Sequence, residues 1–338
     1  LKVLFASSGV GLGHVTRDLH LAQTATWASA TWLTTGTALQ YLEAHRAPIH
    51  EASYQLGRID HFITNLFSTG RMKLGLRHML RAYRTYRRNA AMLEDSLDLD
   101  EFDGVVADEF WEFFFTRRVH PKTLYLTDFL NFRPPKGSLV ARLPIAYANR
   151  VLQARYRRFA ARIYVGLEAN PPSGFEFYGQ LYTHSGPAQA NRREHALAVV
   201  TIGGTGAGAF IYKVVEGPLA RYGLKPYRLG PWNLEPNPLP AMAAARLVVT
   251  LAGYASLLEI AHLRRRAIII PLTGHFEQEG NARHFEGRPG YRVVPSDQLS
   301  EGQVTTLIGE VLDETPQPPT FTDGAEAIAA RMKQLFTA

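Results

Sequence analysis

A chain of 338 residues with 46% apolar side chains is long enough for two domains of about 150–170 residues, each with its own core. Cysteine is absent, which excludes disulfides and thiolate metal sites and fits a reducing cytosol. The formal charge of +7, carried mostly by Arg, and a pI of about 9.6 favour anionic partners such as nucleotides, acidic lipid or nucleic acid.

The opening LKVLF enters a strand pattern at once, so no secretory leader is expected. No stretch reaches the roughly 20 apolar residues of a membrane span. Short apolar strands then alternate with helical segments, which predicts a parallel α/β architecture. In the first half the strands are read at Lys2–Ala6, Thr31–Thr34, Gly104–Ala107, Thr123–Leu126 and Arg162–Val165. In the second they fall at Ala196–Ile202, Pro226–Leu229, Leu247–Leu251, Ala267–Ile270 and Tyr291–Val294. Between them, the Pro-, Gly- and Ser-rich stretch 170–191 reads as a linker. A second break at Pro316–Pro319 precedes a last helix with Asp323 as N-cap and Ile328, Met332 and Leu335 as its apolar stripe.

Each half opens with a strand and a glycine-rich loop. The first holds Gly9, Gly11, Gly13 and His14; the second holds Gly203, Gly204, Thr205, Gly206 and Gly208. Both loops belong at the carboxyl end of a sheet, where such folds bind ligands. The first is not a dinucleotide fingerprint: His14 stands where the last glycine should, and no acidic residue follows the second strand. His14 at a helix N-terminus is expected to be held neutral by the helix dipole, the state a general base needs. Asp108, ending the third strand, could orient that imidazole, or could merely cap the segment Phe110–Phe115.

Further along, the strand Leu247–Leu251 ends at Gly253, and a helix is expected from near Ser256 with Glu259 one turn in. Ser256 and Glu259 alone could be a capping box. Capping does not explain Gly253, His275, Glu277, Gln278 or Asn281, which would close over an anion held at that helix end. Asp98-Leu99-Asp100 resembles a metal-holding D-x-D, although a solvated surface turn in the acidic loop Glu94–Asp103 accounts for it better. The histidines are scattered, and no cluster has metal-ligand spacing.

The segment Arg71–Arg88 puts Leu76, Met79, Leu80 and Tyr83 on one face and Arg77, Arg81, Arg84 and Arg88 on another. Such a helix can lie on an anionic bilayer, or can be an ordinary surface helix with a solvated Arg face. The Arg-rich stretch Arg150–Arg162 adds to the same basic surface. No nucleic-acid reader motif is present, and nucleic acid is not expected as a partner.

These residues together resemble a family. Gly253-x-x-Ser256-x-x-Glu259, an apolar strand ending in Pro271, and Glu277-Gln278-x-x-Asn281-Ala282 are similar to the GT-B glycosyltransferases, specifically the MurG-like (family 28-type) UDP-sugar transferases and their archaeal-type relatives. The loop Gly11-Leu12-Gly13-His14 with Arg17, the loop Gly203–Gly206 and the strand ending in Asp108 match other parts of the pattern; 36–104 matches nothing specific. The resemblance implies two Rossmann-like, doubly wound parallel-sheet domains facing a central cleft, with a C-terminal helix crossing back. The expected divisions are an acceptor-binding domain at 1–169, a linker at 170–195, a nucleotide-sugar domain at 196–318 and the returning helix at 319–338.

It further implies that Gly203, Gly204, Thr205, Gly206, Gly253 and Ser256 meet a diphosphate and that Glu259 accepts from ribose hydroxyls. Gln278 and Asn281 would hold the sugar, with His275 and Glu277 beside them. Where relatives carry Gly-x-Pro before the strand, this chain has Arg264-Arg265-Arg266, expected to add charge near the cleft. The expected activity is inverting transfer, without metal or cofactor, of N-acetylglucosamine or a hexose from a UDP-sugar to a hydroxyl, lipid-linked in the favoured case. A UDP-sugar epimerase or hydrolase and a non-catalytic nucleotide-sugar binder are the alternatives. The expected location is the cytoplasm, peripheral at the inner face of the membrane.

Overall fold

Val3 to Ala6, Val105 to Ala107 and Ile268 to Ile270 have no solvent-exposed surface, as strands of parallel sheets covered on both faces require. The computed structural model describes residues 1–59, 76–132, 142–168, 171, 173–183, 194–204, 206–233, 235 and 237–338. Residues 170, 172 and 184–193 of the expected linker and residues 71–75 of the basic segment lie outside them.

The first sheet contains β1 (Lys2–Ser7), β2 (Ser29–Leu33), β3 (Gly104–Asp108), β4 (Thr123–Thr127), β5 (Ala161–Tyr164) and β6 (Glu176–Phe177), in the order β2-β1-β3-β4-β5-β6 and parallel throughout. The second contains β7 (Glu194–Thr201), β8 (Lys225–Leu229), β9 (Ala245–Leu251), β10 (Ala267–Ile270) and β11 (Tyr291–Val293), in the order β11-β10-β9-β7-β8. All ten strands read from the sequence are present, and β6 is the one addition among the described residues. Each sheet changes direction once, between β1 and β3 and between β7 and β9. Those switch points open a crevice at the carboxyl ends of the strands, where both glycine loops begin.

The helices relevant to the site are α1 (Gly13–Thr24), α2 (Gly36–Ala44), α3 (Leu76–Ser96), α4 (Arg142–Tyr156), α5 (Phe210–Arg221), α6 (Leu239–Ala244), α7 (Tyr254–Leu263), α8 (Phe276–Ala282), α9 (Glu301–Leu312) and α10 (Ala325–Thr337). α10 follows the second sheet in sequence but packs on the first. Ile328, Met332 and Phe336 are buried with Val3, Phe5 and Val106, each worth about 1.5–3 kcal/mol relative to exposure. Leu335 lies only at the edge of this cluster. Asp323 accepts from Ala325 N (3.1 Å) and meets His20 Nε2 (2.7 Å), pinning the start of α10 to α1; Gly324 rather than Asp323 is the N-cap.

α3 packs through Ala90 and Leu93, while Asn89 bridges Gly57 and Glu112. Arg77, Arg81, Arg84 and Arg88 are exposed, as are Leu80 and Tyr83. The Arg264-Arg265-Arg266 run corrects an expectation. Arg264 ends α7 in the left-handed region (φ 51°), a position that favours glycine and costs another residue roughly 1–2 kcal/mol. The run enters β10 at its amino end, opposite the crevice, so its charge is not near the cleft.

Candidate active site

The glycine loops meet. A Cβ placed on Gly204 would come within 2.7 Å of Leu12 N and 2.8 Å of Gly11 C, so only glycine lets the second loop's backbone lie against the first. Gly11 and Gly203 take φ of 74° and 72°, which turns each chain sharply as it leaves its strand. Between these loops lies a cleft lined from both sheets, by Gly11, Gly13, His14 and Arg17 on one side and Gly203, Gly204, Gly253, Ser256 and Glu259 on the other. His275, Glu277 and Gln278 also line it.

Three sequence-expected residues stand elsewhere. Asp108 is fully buried behind His14. Asn281 donates to Ala252 O (3.4 Å) and lines an adjoining hollow with Phe129 and Phe276. Gly206 opens a short 3-10 turn away from the cleft lining. Thr205 is outside the described residues.

On the first side, Ser8 N donates to Asp108 O (2.9 Å), fixing the loop to the end of β3. His14 Nδ1 is 3.1 Å from Asp108 Oδ1. Arg17 gives Asp108 a two-pronged contact, Nε to Oδ2 at 2.6 Å and Nη2 to Oδ1 at 2.5 Å, and Nη1 reaches Asp128 Oδ2 at 2.7 Å. The carboxylate of Asp108 is therefore not a cap for the segment after it, whose 3-10 turn has no side-chain cap.

Nη2 of Arg17 also lies 3.1 Å from His14 Nδ1. A nitrogen cannot donate to Asp108 and accept from Arg17 at once. Asp108 is held ionised and can only accept, so its contact with Nδ1 requires that Nδ1 carry hydrogen and donate to it. The neutral ring then has its lone pair on Nε2.

Burial opposes a charged imidazole here, and Arg17 also lowers its pKa. Asp108, by charge and by hydrogen bond, and Glu109 outweigh them and raise His14 to about 9. The expectation of a neutral histidine is thus corrected: the nearby carboxylates dominate the helix dipole. Burial would also protonate Asp108, but Arg17 and His14 hold it well below the usual carboxylate range.

Glu109 and Asp128 escaped the sequence reading. Glu109, at φ 45°, is one of three non-glycine residues in the left-handed region among the described residues. Its Oε1 accepts from Thr127 Oγ1 (2.7 Å) and Phe129 N (2.9 Å), which folds the loop after β4 over the dyad. Burial, reinforced by Asp128, raises Glu109 to about 8. Asp128 lies just past the end of β4, a placement analogous to that of Asp108, and that signal could have found it.

On the second side, α7 begins at Tyr254 with Gly253 as N-cap and no capping side chain. Ser256 and Glu259 therefore do not form a capping box. Glu259 instead accepts from Thr183 Oγ1 (2.6 Å), a partner with no sequence signal, and burial raises it to about 7. A Cβ on Gly253 would meet nothing within 4 Å, so space is open beside the N-cap of α7. His275 caps α8 through a weak 3.5 Å contact from Gln278 N, and burial lowers it to about 4. Gln278 Oε1 accepts from Leu272 N (3.1 Å), so its amide is oriented by the loop after β10. Burial and Asp128 across the cleft raise Glu277 to about 7.

Asp98 accepts from Asp100 N (2.9 Å) and Asp100 pairs with Arg118, which is an acidic surface turn. Among the described residues no group of three or more His, Asp or Glu is placed to hold a metal.

Residues 227–336 match the model of the glycosyltransferase family 28 C-terminal domain. Over 89 residues the chain is 30% identical to a UDP-N-acetylglucosamine–N-acetylmuramyl-(pentapeptide) pyrophosphoryl-undecaprenol N-acetylglucosamine transferase of Mesorhizobium japonicum. That match spans 26% of this chain and 24% of the relative's length. Among solved structures, MurG of Acinetobacter baumannii is similar with a TM-score of 0.51 and 15% identity, over 98% of this chain and 99% of that one. The calicheamicin glycosyltransferase CalG4 gives 0.55 and 15%, over 100% and 94%. The spinosyn rhamnosyltransferase SpnG, complexed with its aglycone, gives 0.53 and 14%, over 100% and 96%.

Proposed function

From a GT-B fold with a second half resembling the family 28 C-terminal domain, we propose that this chain transfers a sugar from a UDP-sugar to a hydroxyl acceptor with inversion. The observation that carries the proposal is His14. Its Nδ1 is held by Asp108, it lines a cleft between the two sheets, and the N-terminus of α7, with open space beside Gly253, lines the same cleft.

In this reading His14 Nε2 takes the proton of the acceptor hydroxyl as that oxygen attacks the anomeric carbon. UDP leaves with the bonding pair. Main-chain amides around Gly203, Gly204 and Gly253 and the N-terminus of α7 stabilise its charge without a metal, because fixed dipoles need no reorganisation. Glu259 accepts from the ribose, and Gln278 and Glu277 contact the sugar. Asn281 acts from the adjoining hollow. The halves divide the work: residues 1–169 present the base and acceptor, and 196–318 hold the donor.

The test incubates the protein with UDP-sugars and hydroxyl acceptors, with and without EDTA, and identifies the anomer formed. Acceptor-dependent product of inverted configuration, at an equal rate in EDTA, supports the proposal. UDP release without acceptor points instead to an epimerase or hydrolase. Glu259→Ala is expected to weaken UDP binding by about tenfold or more in calorimetry, the loss of a charged hydrogen-bond acceptor. With Glu259 raised to about 7, its carboxylate forms as pH rises, so UDP affinity should increase through that pH.

We place the acceptor's carrier at an anionic membrane surface. On α4, Leu143 (83% exposed), Tyr147 (71%) and Val151 lie at i, i+4 and i+8, and Arg142 and Arg150 are exposed beside them. α3 adds Leu80 and Tyr83 among five exposed arginines. Apolar side chains fringed by Arg are the composition of an interfacial helix. No helix among the described residues is long and apolar enough to cross a membrane. The protein should float with phosphatidylglycerol vesicles, and Leu143→Glu with Tyr147→Glu should abolish that. Equal binding to neutral vesicles, or none, would overturn this placement.

A further inference from the structure

Arg17 is only 1% exposed in a helix that also buries Asp18, whose carboxyl burial pushes well above the usual range. Its guanidinium lies at the wall of the cleft with its nitrogens turned onto protein carboxylates. The fork on Asp108 and the third contact to Asp128 engage Nε, Nη1 and Nη2, and its carbon Cζ sits 5.0 Å above the centre of the Tyr254 ring. Tyr254 is the first residue of α7, the helix that offers its N-terminus to the cleft, and its hydroxyl accepts from Leu181 N (2.9 Å). One cation thus joins the ends of β3 and β4 in the first sheet to a helix of the second.

We propose that Arg17 is a positioning residue that keeps His14 usable as a base and holds the His14–Asp108 pair in register with the donor half of the cleft. The proposal rests on the transferase reading above. Its physical content is a charge count around one imidazole. Asp108 and Glu109 face it from the end of β3, Asp128 from the end of β4, Glu277 from α8 and Asp18 from α1. Without a counter-cation these carboxyl groups would bind the ring proton too firmly for it to accept another. Arg17 shares Asp108 and neutralises it, and a guanidinium suits this role because its planar fork meets both carboxylate oxygens. Lys, a single compact ammonium, cannot span both oxygens of Asp108 as a planar fork and reach Asp128 as well. The cation–π contact to Tyr254 supplies the second function, since a shift of that helix would move Arg17 and with it the carboxylate that aims the base.

The test follows the His14 ring by NMR titration of the full-length protein, a readout that requires no sugar transfer, and measures kcat and KM beside it. In Arg17→Gln the His14 midpoint should move up by roughly one unit or more, as expected for loss of a cation beside a paired carboxylate. The acid limb of kcat should follow it, with KM for the UDP-sugar little changed. Arg17→Lys should leave the midpoint near its original value and still lower kcat, by up to about 10²-fold, through lost alignment. Tyr254→Leu should lower kcat, and Tyr254→Phe, which keeps the ring, should recover most of it. An unmoved His14 midpoint in a folded Gln variant would overturn the charge role. Full kcat in the Lys variant would overturn the alignment role, and should the Gln variant not fold, that measurement alone decides. A rise in KM with kcat unchanged would make Arg17 a donor ligand instead. Failure of all sugar transfer with the NMR shift intact would count against the transferase reading and not against the coupling.

Discussion

Replacing His14 by Ala should lower sugar transfer by about 10²–10⁴-fold, the usual contribution of a placed base, while UDP binding stays near its original strength. The split follows from geometry: His14 belongs to the first loop and Asp108, whereas the groups assigned to UDP sit on the second loop and α7. Comparable loss of UDP affinity would make His14 part of the donor site. The pH dependence is the sharper measurement. With the imidazole raised to about 9, only about one molecule in a hundred holds it neutral at pH 7. The rate should therefore climb about tenfold per pH unit below that value and level off above it. The same shift makes a folding contribution of opposite trend. A histidine whose folded pKa lies above its unfolded 6.5 adds stability that is complete below 6.5 and is lost as pH rises through about 9.

Asp108→Ala should cost more in stability than any other single change in the cleft, about 3–5 kcal/mol by urea unfolding. The reason is the company the carboxylate keeps. Arg17 is 1% exposed and its fork rests on Asp108, so removing the anion leaves a buried guanidinium with only Asp128 to offset it. Whatever activity survives should show its acid limb moved to lower pH, because the largest influence holding the proton on His14 is gone. Stability within about 1 kcal/mol of the parent protein would mean that Arg17 finds Asp128 alone sufficient. Asp108 itself contributes stability above the unfolded carboxylate value near 3.9, and that contribution is lost as pH falls toward its depressed folded value.

The sheets were legible because parallel strands covered on both faces must be nearly continuous apolar runs, and Val3–Ala6 or Ile268–Ile270 can hardly be anything else. β6 was not, since Glu176–Phe177 is a two-residue edge strand whose position is set by neighbours. Strand ends carried the site. Once the sheets were read, His14, Asp108 and Gly253 had to converge at their carboxyl ends. What spacing does not carry is depth. Arg17 lines the cleft as the sequence suggests, but nothing in its spacing shows that its nitrogens are turned onto buried carboxylates and its Cζ onto a ring. Nor does spacing reveal electrostatic balance: the helix end argued for a neutral histidine, and Asp108 and Glu109 reversed it. Thr183, which sets the Glu259 carboxyl, comes from a stretch with no pattern.

The return of α10 to the first sheet has a consequence for anyone recombining such proteins. Met332 and Phe336 are encoded after the whole second sheet and yet fill the outer layer of the first, so in topology the second sheet is an insertion. A chimera with a new donor half therefore needs two splice points, one after β6 and one before Ala325. With a single crossover the first sheet would inherit a foreign lid, and its apolar seam would have to be refitted.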